Sequence, residues 1–427
     1  MRWRPGELIL DLYEVLDQPR EGGMGLVYRV RHGSWGTDLA VKVPRPEQLT
    51  TELKRGRFET EAGTWVGLGL HPHVVSCAYV RRVDGLPCVF AEWVAGGSLE
   101  HIVRTGRLHP DPGDQGSDFL ARALDLAVQS AWGIDHAHRQ GLIHQDVKPA
   151  NIMVDLDGGW TAKVTDFGLA GARAAVETVA DTLPETSLAA SFGGMTPAYC
   201  SPEQAEAAAG ARVTLTRATD VWSWALCVLE MFAGRRPCRY GQTAREAFAD
   251  FLAGGESWPG ARPMPPPIVD LLWRCFDVDP ETRPRDLAEL ATAVTETYAD
   301  TVGAPYPRVP PPAASLLAGS LSNQALSLLD LGRGAESEQL WRNAIDIDPH
   351  HASAVYNWAL YRWRRGAITD QQVLAELRTA QEIAGERWQA DHLPGFVHAE
   401  RGDDEAAGRL LAAASASPDV RTAAGVL

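Results

Sequence analysis

Long apolar segments are missing from this sequence of 427 residues. No run reaches about 20 apolar residues, the length that a membrane-spanning helix needs. The nearest run, 221–232, contains Ser223 and Glu230 and has the length of a buried core helix. The first residues, MRWRPGE, also lack the apolar stretch of a secretion signal. The sequence therefore predicts a cytoplasmic protein with no membrane span.

Excess positive charge and paired cysteines are missing as well. The chain has 40 lysine and arginine residues against 55 aspartate and glutamate residues, a net charge of −15. Such a surface disfavours a nucleic-acid backbone or an anionic membrane as the main partner, although it still permits local phosphate binding. None of the six cysteines forms a C-x-x-C pair and no histidine cluster has zinc spacing, which predicts free thiols in a reducing compartment.

Apolar residues alternate with polar ones in the first part of the chain, and helical patterns dominate the second. Strand patterns occupy 8–16, 26–31, 39–43 and 88–94, with a helical pattern at 57–68. Further helices are predicted at 119–140, 219–232, 244–252, 268–276 and 286–298. A strand-rich part followed by a helix-rich part predicts an α+β fold of two lobes, about 8–94 and about 95–298.

Proline is concentrated at 299–314, which predicts an extended, semi-rigid linker. The tail that follows, 315–427, carries a weak repeat, because Gly366 lies 34 residues after Gly332 and Gly402 lies 36 residues after Gly366. Small alanines such as Ala344 and prolines such as Pro349 recur behind the glycines. The pattern resembles the tetratricopeptide repeat, a helix pair of about 34 residues, and predicts an all-α tail. An unrelated helical bundle remains the alternative.

A glycine-rich turn and a strand lysine indicate a phosphate site in the first lobe. The sequence EGGMGLV at 21–27 places Gly22, Gly23 and Gly25 in a turn whose backbone can approach phosphates, because no Cβ intervenes. Val27 can then pack on a flat base. Lys42 lies on a predicted strand, where burial requires an anionic partner. Taken alone, the turn also fits an ordinary hairpin and the lysine an edge strand.

Carboxylates and an amide are grouped in the second lobe. The sequence IHQDVKPAN at 143–151 supplies a proton acceptor in Asp146, a positive charge in Lys148 and an amide in Asn151. The sequence DFG adds a second carboxylate, Asp166, beside a glycine. A carboxylate and an amide oxygen suit Mg²⁺, which prefers hard oxygen ligands and keeps some waters.

In this order the motifs resemble those of the eukaryotic-like protein kinases over residues 8–298. The resemblance extends to SPE at 201–203, to Arg283 as the partner of Glu203, and to Asp220 at the start of a buried helix. It implies an ATP-dependent enzyme that transfers the γ-phosphate of ATP to protein hydroxyls.

The resemblance also implies a role for each site residue. Asp146 would accept or orient the proton of the substrate hydroxyl, and Lys148 would contact the γ-phosphate. Asn151 and Asp166 would hold Mg²⁺. Lys148 in KPAN resembles the serine/threonine class rather than the tyrosine class, and Thr196 in MTPAY resembles the threonine of the substrate-facing loop. The nucleotide would be bound by the following set: Gly22, Gly23, Gly25, Val27, Ala40, Lys42, Glu61, Glu92, Val94, Asn151 and Asp166.

Within that set, Lys42 would grip the α- and β-phosphates and would be held by Glu61, which follows it by 19 residues. Glu59 is a rival for this pairing on a nearby helical face, so the choice rests on the spacing in the family. Glu92 and Val94 would offer backbone groups to adenine.

Two positions depart from the family pattern. Arg20 stands where the family has its first glycine, yet Gly22 and Gly25 remain, so we expect Arg20→Gly to leave ATP affinity undiminished. Gln145 replaces the arginine that pairs with a phosphate on the activation segment, 166–203. Because glutamine carries no charge, we hypothesise that activity depends little on phosphorylation of that segment.

Two other functions stay open at this point. A catalytically weak pseudokinase would act as a scaffold through protein interactions, although every catalytic position here is filled. A small-molecule phosphotransferase would share the fold, but such enzymes lack the SPE motif and its matching arginine. The tail is predicted to bind a protein partner or substrate, because stacked helix pairs form concave surfaces. Capping of the kinase by the tail is the alternative.

Overall fold

The computed structural model describes residues 2–22, 25–33, 36–44, 65, 67–69, 71–83, 86–109, 117–167, 196–254, 263–311, 313–330, 334–384, 397–398, 403 and 405–409. Contacts divide the chain into two units. The first unit comprises Met1–Leu70, Ser76–Trp93 and Pro311–Leu427, and the second comprises His71–Val75 and Val94–Pro310. The tail therefore groups with the strand-rich part of the chain.

In the described part of the first unit, seven strands form one antiparallel sheet. The strands are β1 (Leu8–Ile9), β2 (Tyr13–Val15), β3 (Arg20–Gly22), β4 (Gly25–His32), β5 (Asp38–Pro44), β6 (Cys77–Val83) and β7 (Leu86–Glu92). Their order is β1-β2-β4-β5-β7-β6, with β3 paired to β4. β6 is thus an edge strand.

One face of this sheet carries an apolar core. Leu39, Val41 and Val43 alternate with more polar neighbours along β5, and all three are buried. They pack with Tyr28 of β4 and Phe90 of β7. The period of two that predicted the strands therefore also produces a one-sided core.

The predicted strand 8–16 is broken in the structure. Leu10 and Asp11 have φ angles of 51° and 53°. The Leu12 N–H donates to the Ile9 carbonyl at 3.1 Å. This tight turn folds β1 back on β2, so one alternating stretch becomes a hairpin.

β6 was not predicted from the sequence. Its pairing with β7 shifts register between Cys77 and Tyr79, and such a bulge interrupts the alternation that marks a strand. The predicted helix 57–68 lies outside the described residues except at 65, 67 and 68, which are helical.

Helices dominate the second unit, as the sequence predicts. They are α1 (Leu99–Arg104), α2 (Ser117–Arg139), α3 (Pro202–Ala208), α4 (Arg217–Ala233), α5 (Ala244–Leu252), α6 (Pro266–Cys275) and α7 (Leu287–Val302). Each of the five helices predicted between 119 and 298 overlaps one of them. α4 is buried from Ala218 to Ala233, so the apolar run 221–232 is a core helix. Among the described residues, no helix is long and apolar enough to cross a membrane.

A two-stranded hairpin, also not predicted, lies in the second unit. It pairs β8 (Ile152–Asp155) with β9 (Thr161–Val164). Ile152 is opposite Val164, and Asp155 is opposite Thr161. The open end of this hairpin therefore brings the residues that precede β8 next to those that follow β9.

The predicted linker, 299–314, spans the end of α7 and an extended segment. α7 continues to Val302, and the chain then runs without helix or strand to residue 311. Tyr306 and Arg308 hold this segment on α2, because both donate to the Asp125 carboxylate, at 2.8 and 2.9 Å. A second bond from Arg308 to Asp125, at 3.1 Å, makes that contact bidentate.

The described part of the tail is helical. It comprises α8 (Ala313–Asp330), α9 (Gly334–Ile347), α10 (Ala352–Arg364) and α11 (Asp370–Ala384). Ala344 is buried in a cluster of alanines from three helices. Pro349 follows the end of α9, and Gly366, with φ 69°, follows α10. Gly332 and Gly402 lie outside the described residues. The all-α tail is confirmed for the residues described, and the tetratricopeptide repeat stays a prediction.

Candidate active site

The hairpin of β3 and β4 carries the predicted glycines of the first unit. Gly22 pairs with Gly25 at its end. A Cβ on Gly25 would lie 2.2 Å from the Val43 carbonyl oxygen, so only glycine permits this approach of β4 to β5. The prediction for Gly23 falls outside the described residues. Close packing of the hairpin therefore explains one of the three glycines.

Val27, Ala40 and Lys42 lie on the face of the sheet opposite its core. They alternate with buried residues along β4 and β5, and all three are half-buried. Val27 is directly opposite Lys42 across the two strands. Paired residues project to the same side of a sheet, so this face presents one ammonium group beside a branched apolar side chain. Such a pair can contact an anion and an adjoining flat ring.

Trp65 lies beside Lys42, and the sequence analysis missed it. Lys42 Nζ is 6.0 Å from the centroid of the Trp65 ring, which is 7% exposed. A buried ring face attracts an ammonium group through its quadrupole. The signal that could have found Trp65 is its helical spacing of four residues from the predicted Glu61. Glu61 and its rival Glu59 lie outside the described residues, so their pairing with Lys42 stays a prediction.

Glu92 and Val94 are the two positions predicted to meet adenine. Glu92 ends β7, and its N–H donates to the Ser76 carbonyl at 2.9 Å. That N–H is therefore engaged, which makes the Glu92 carbonyl the group to consider for adenine. Val94 belongs to the second unit and is 6% exposed.

Arg20, in the place of the family's first glycine, makes a contact of its own. Its guanidinium carbon lies 5.2 Å from the centroid of the Trp93 ring. Arg29 lies 5.3 Å from the same ring and is anchored by Asp38, which accepts from its Nε at 2.8 Å. The cation–π contact gives Arg20 a role in holding β3. The expectation that Arg20→Gly leaves ATP affinity undiminished stays untested, and this contact is the reason why we now expect a loss.

In the second unit, a buried aspartate holds the backbone of the 143–151 loop. The Asp220 carboxylate accepts the N–H groups of His144 and Gln145, both at 2.7 Å. His138 Nε2 also lies 2.7 Å from Asp220 Oδ2. Burial raises the pKa of Asp220, but the contacts from His138 and the backbone outweigh it, so its pKa lies below the usual value.

Asp146 is the centre of a hydrogen-bonded cluster. Lys148 Nζ donates to Asp146 Oδ2 and to Thr196 Oγ1, both at 2.6 Å. Thr196 Oγ1 donates to Asp146 Oδ1 at 3.2 Å. Asn151 Nδ2 donates to the Asp146 carbonyl at 2.9 Å and to Oδ2 at 3.1 Å. An oriented carboxylate beside an ammonium group can accept a proton from a hydroxyl while the ammonium stabilises a developing anion.

Asn151 and Asp166 flank the open end of the β8–β9 hairpin. The Thr165 N–H donates to the Asn151 carbonyl at 2.9 Å, and Asp166 is the next residue, with φ 68°. The amide nitrogen of Asn151 is hydrogen-bonded to Asp146, which leaves the amide oxygen as the atom that could bind a metal ion. An amide oxygen and a carboxylate fit Mg²⁺, which fills its other positions with waters and phosphate oxygens. In the described part of the chain no cluster of three His, Cys, Asp or Glu side chains offers a metal site.

Comparison with protein families agrees with this arrangement. The protein kinase domain family matches residues 13–297. The chain belongs to this family.

Three relatives are bacterial kinases. The serine/threonine-protein kinase AfsK of Streptomyces griseus is 32% identical over 312 residues, which are 71% of this chain and 34% of AfsK. The kinase PknA of Corynebacterium glutamicum is 31% identical over 64% of this chain and 54% of PknA. PrkC of Bacillus subtilis is 30% identical over 54% of this chain and 32% of PrkC. The matched part thus spans from about a third to just over half of these relatives.

A solved structure is also similar. The kinase domain of PknI from Mycobacterium tuberculosis is 23% identical, with a TM-score of 0.46, over 69% of this chain and 99% of that chain.

A buried ion pair stabilises the kinase domain near the SPE motif. Arg283 donates two hydrogen bonds to the two carboxylate oxygens of Glu203, each at 2.9 Å. Burial raises the pKa of Glu203, but Arg283 outweighs it, so the pKa lies below the usual value. Thr219 also donates to Glu203, at 3.0 Å, and Arg283 stacks on Trp222. The predicted pairing of Glu203 with Arg283 is confirmed by this geometry.

Gln145 takes the place of the arginine that kinases of this family use to hold a phosphate. Its φ is 67°, and its carbonyl accepts from Gln204 Nε2 at 2.8 Å. Its own Nε2 is buried and meets no acceptor among the residues that the structure describes. An uncharged amide at this position cannot pair with a phosphate as a guanidinium does.

Two histidines that the sequence analysis passed over also support the site. His144 Nε2 lies 3.0 Å from the Thr165 carbonyl, and its ring packs 4.7 Å from that of Phe167. His138 contacts Asp220 from α2. His144 lies in the motif quoted above, whereas His138 precedes it and has no sequence signal beyond burial of its helix face.

Proposed function

We propose that this chain is an ATP-dependent serine/threonine protein kinase. The observation that carries the proposal is the cluster of Lys148, Thr196 and Asn151 around the Asp146 carboxylate. Phosphoryl transfer needs little covalent chemistry from the protein, so positioned charges of this kind suffice as a catalyst.

In this proposal Asp146 orients the substrate hydroxyl and accepts its proton. Lys148 contacts the transferred phosphate and stabilises its charge. Asn151 and Asp166 hold Mg²⁺, which when bound neutralises charge on the phosphate oxygens. Thr196 is hydrogen-bonded to both Lys148 and Asp146 and fixes their relative position.

The nucleotide half of the proposal rests on the first unit and on Val94. Lys42 contacts the α- and β-phosphates, with Glu61 as its predicted partner. Val27 and Ala40 pack on the base, and the Glu92 carbonyl and the Val94 N–H meet its polar edge. The half-buried position of Lys42 supports this assignment, because a lysine there gains an anionic partner.

Serine and threonine are the proposed acceptors. The Lys148 ammonium and the Thr196 hydroxyl form the pattern that resembles this class, and the three relatives above are named serine/threonine kinases. The substrate itself is a protein that exposes such a hydroxyl.

The test is transfer of radiolabelled γ-phosphate from ATP to a generic protein substrate. Asp146→Asn keeps the shape of the side chain and removes its basicity, so we expect transfer to fall by roughly 10²–10⁴-fold. Asp157→Asn, an exposed turn residue of the same unit, is the matched control and should match the wild type. Wild-type activity in Asp146→Asn would contradict the assignment. A wild-type chain that binds ATP but transfers nothing would support the pseudokinase alternative.

Control of the activity is proposed to require no phosphate on the activation segment. Uncharged Gln145 supports this, as does its carbonyl contact to Gln204, which needs no modification. Thr178, Thr182, Thr186, Ser187 and Ser191 lie outside the described residues and are the hydroxyls to test. Changing all five to alanine should leave phosphate transfer within about twofold of the wild type, and a tenfold loss would contradict the hypothesis.

The tail is proposed to bind a protein partner or substrate. A groove of about 600 Å³ between α9 and α10 supports this, lined by Gln339, Arg342, Ile345, Asp346, Trp358 and Arg362. The guanidinium groups of Arg342 and Arg362 lie 5.4 and 4.9 Å from the Trp358 ring. Trp358→Ala should abolish capture of a partner by the full chain, which a pull-down measures. Undiminished capture would contradict the assignment of this groove.

A reducing, cytoplasmic location is part of the proposal. All six cysteines are free thiols, and five of them are buried. Fractionation of the producing cells would test the location, and recovery outside the cytoplasm would contradict it.

A further inference from the structure

Helix α8 of the tail is buried on two opposite sides. Ala318, Ser322 and Ala325 lie three to four residues apart on one stripe and face the other tail helices. Ser320 and Asn323 lie on the opposite stripe and are only 3% and 4% exposed. A helix at the surface of a tail would present polar residues to water, so burial of this polar stripe requires a partner.

The partners are the edge strand β6 and the segment 67–69, both in the first unit. Asn323 Nδ2 donates to the Cys77 carbonyl of β6 at 2.6 Å. Ser320 Oγ donates to the Gly67 carbonyl at 3.2 Å. The first bond satisfies a backbone carbonyl of the edge strand β6, which α8 covers, and the second satisfies a backbone carbonyl of the segment 67–69.

Gly69 shows how closely α8 approaches. A Cβ on Gly69 would lie 2.0 Å from the Ser320 Cβ, and the φ of Gly69 is +66°. Any larger residue would therefore collide with the helix. Helix α8 therefore packs directly against the backbone of the segment 67–69.

This segment continues directly from the residue that contacts Lys42. Trp65 stands two residues before Gly67, and its ring lies 6.0 Å from Lys42 Nζ. Residues 65, 67 and 68 are helical, and Trp65 and Gly67 are separated by a little more than half a helical turn, so a displacement of Gly67 would also move Trp65. A physical path therefore runs from α8 through 67–69 to Trp65 and Lys42.

We propose that Asn323 and Ser320 are positioning residues for Lys42. By holding 67–69 and β6 in place, α8 sets the position of Trp65, and Trp65 sets that of the Lys42 ammonium. The inference rests on the proposed function, in which Lys42 contacts the phosphates of ATP. It makes the tail a part of the nucleotide site rather than an independently attached module.

The test compares ATP with adenosine, which has the same base and no phosphates. Asn323→Leu in the full chain removes the amide donor at similar volume, and Gln324→Leu makes the matching change at a half-buried neighbour on the same helix. A buried carbonyl that loses its donor is destabilised, so we expect Asn323→Leu to weaken ATP binding by about fivefold or more. Adenosine binding should change by less than about twofold in either variant. Ser320→Ala, which is the milder change, should shift ATP binding in the same direction.

The outcomes separate positioning from general loosening. If Asn323→Leu weakens ATP and adenosine binding equally, or lowers the melting temperature with no change in either affinity, the inference is wrong. If Gln324→Leu acts like Asn323→Leu, the effect does not come from the bond to Cys77 and the inference is wrong as well. If Asn323→Leu does not fold, Ser320→Ala provides the test: its affinity for ATP should fall relative to its affinity for adenosine. A wild-type chain that binds adenosine and ATP with equal affinity would overturn the inference together with the role of Lys42, whereas phosphate transfer to protein would still test the kinase assignment separately.

Discussion

Thr196 joins the lysine and the aspartate of the candidate site, and removing its hydroxyl is the sharpest test of that geometry. Thr196→Val keeps the shape of the side chain and loses both bonds: the one accepted from Lys148 at 2.6 Å and the one donated to Asp146 at 3.2 Å. The direct bond from Lys148 to Asp146 survives. The cluster is therefore loosened and not dismantled.

The size of the effect follows from what is lost. A hydrogen bond to a charged group contributes about 1.5–3 kcal/mol. Because Lys148 can still reach Asp146, we count the loss as one such bond, which corresponds to a fall in kcat of roughly 10- to 150-fold. Binding of ATP does not use the Thr196 hydroxyl in the proposed mechanism, so KM for ATP should stay within about twofold.

The assay is steady-state phosphate transfer to a generic protein substrate at several ATP concentrations. Thr196→Ser is the matched control, since it retains the hydroxyl and should keep kcat within a few-fold of the wild type. Wild-type kcat in Thr196→Val would show that the hydroxyl has no part in catalysis. An equal loss in both variants would show that the methyl group, and not the hydrogen bonds, matters.

Three further outcomes are expected. Arg283→Met should destabilise the folded chain by about 3–5 kcal/mol, because it leaves Glu203 buried without its cation; chemical denaturation measures this, and a loss below 1 kcal/mol would contradict the account. Burial raises the pKa of Glu230 to about 7, so the stability that its protonated form provides is present below pH 4.5 and lost as pH rises through 7. In Glu230→Gln this loss, which is at most about 3 kcal/mol in the free energy of unfolding, should be absent. If the free energies of unfolding of the wild type and the variant change equally between pH 5 and pH 8, the account is wrong. Arg20→Gly should weaken ATP binding by roughly two- to fivefold through loss of its contact with Trp93, and isothermal titration that shows undiminished affinity would restore the original expectation.

Motifs whose residues are neighbours in sequence were predictable. Asp146, Lys148 and Asn151 lie within six residues, and their contacts are made across one loop. The central helix was predictable for a different reason, because an apolar run such as 221–232 has no solvent-facing stripe. Motifs of neighbouring residues and long apolar runs are therefore the features that can be predicted from the sequence.

Contacts between segments that are distant in sequence were less predictable. Thr196 bonds to Lys148 across 48 residues, and no spacing rule predicts that distance without the family pattern. Trp65 next to Lys42 is a similar case, since an isolated tryptophan in a helix is usually a core residue. The break in the strand 8–16 depends on two residues that adopt left-handed φ angles without being glycine.

Helix α8 shows why the tail could be identified as helical but not placed. Its hydrophobic stripe, including Ala318 and Ala325, is what a sequence pattern reports, and that stripe meets the tail itself. Ser320 and Asn323 look like a solvated face, because serine and asparagine are usually exposed. Their partners are backbone carbonyls, which every residue has and which therefore leave no residue-specific signal in the sequence. Polar residues that are buried against a backbone edge are therefore invisible to hydrophobic patterning, and the grouping of the tail with the sheet could be found only from the structure.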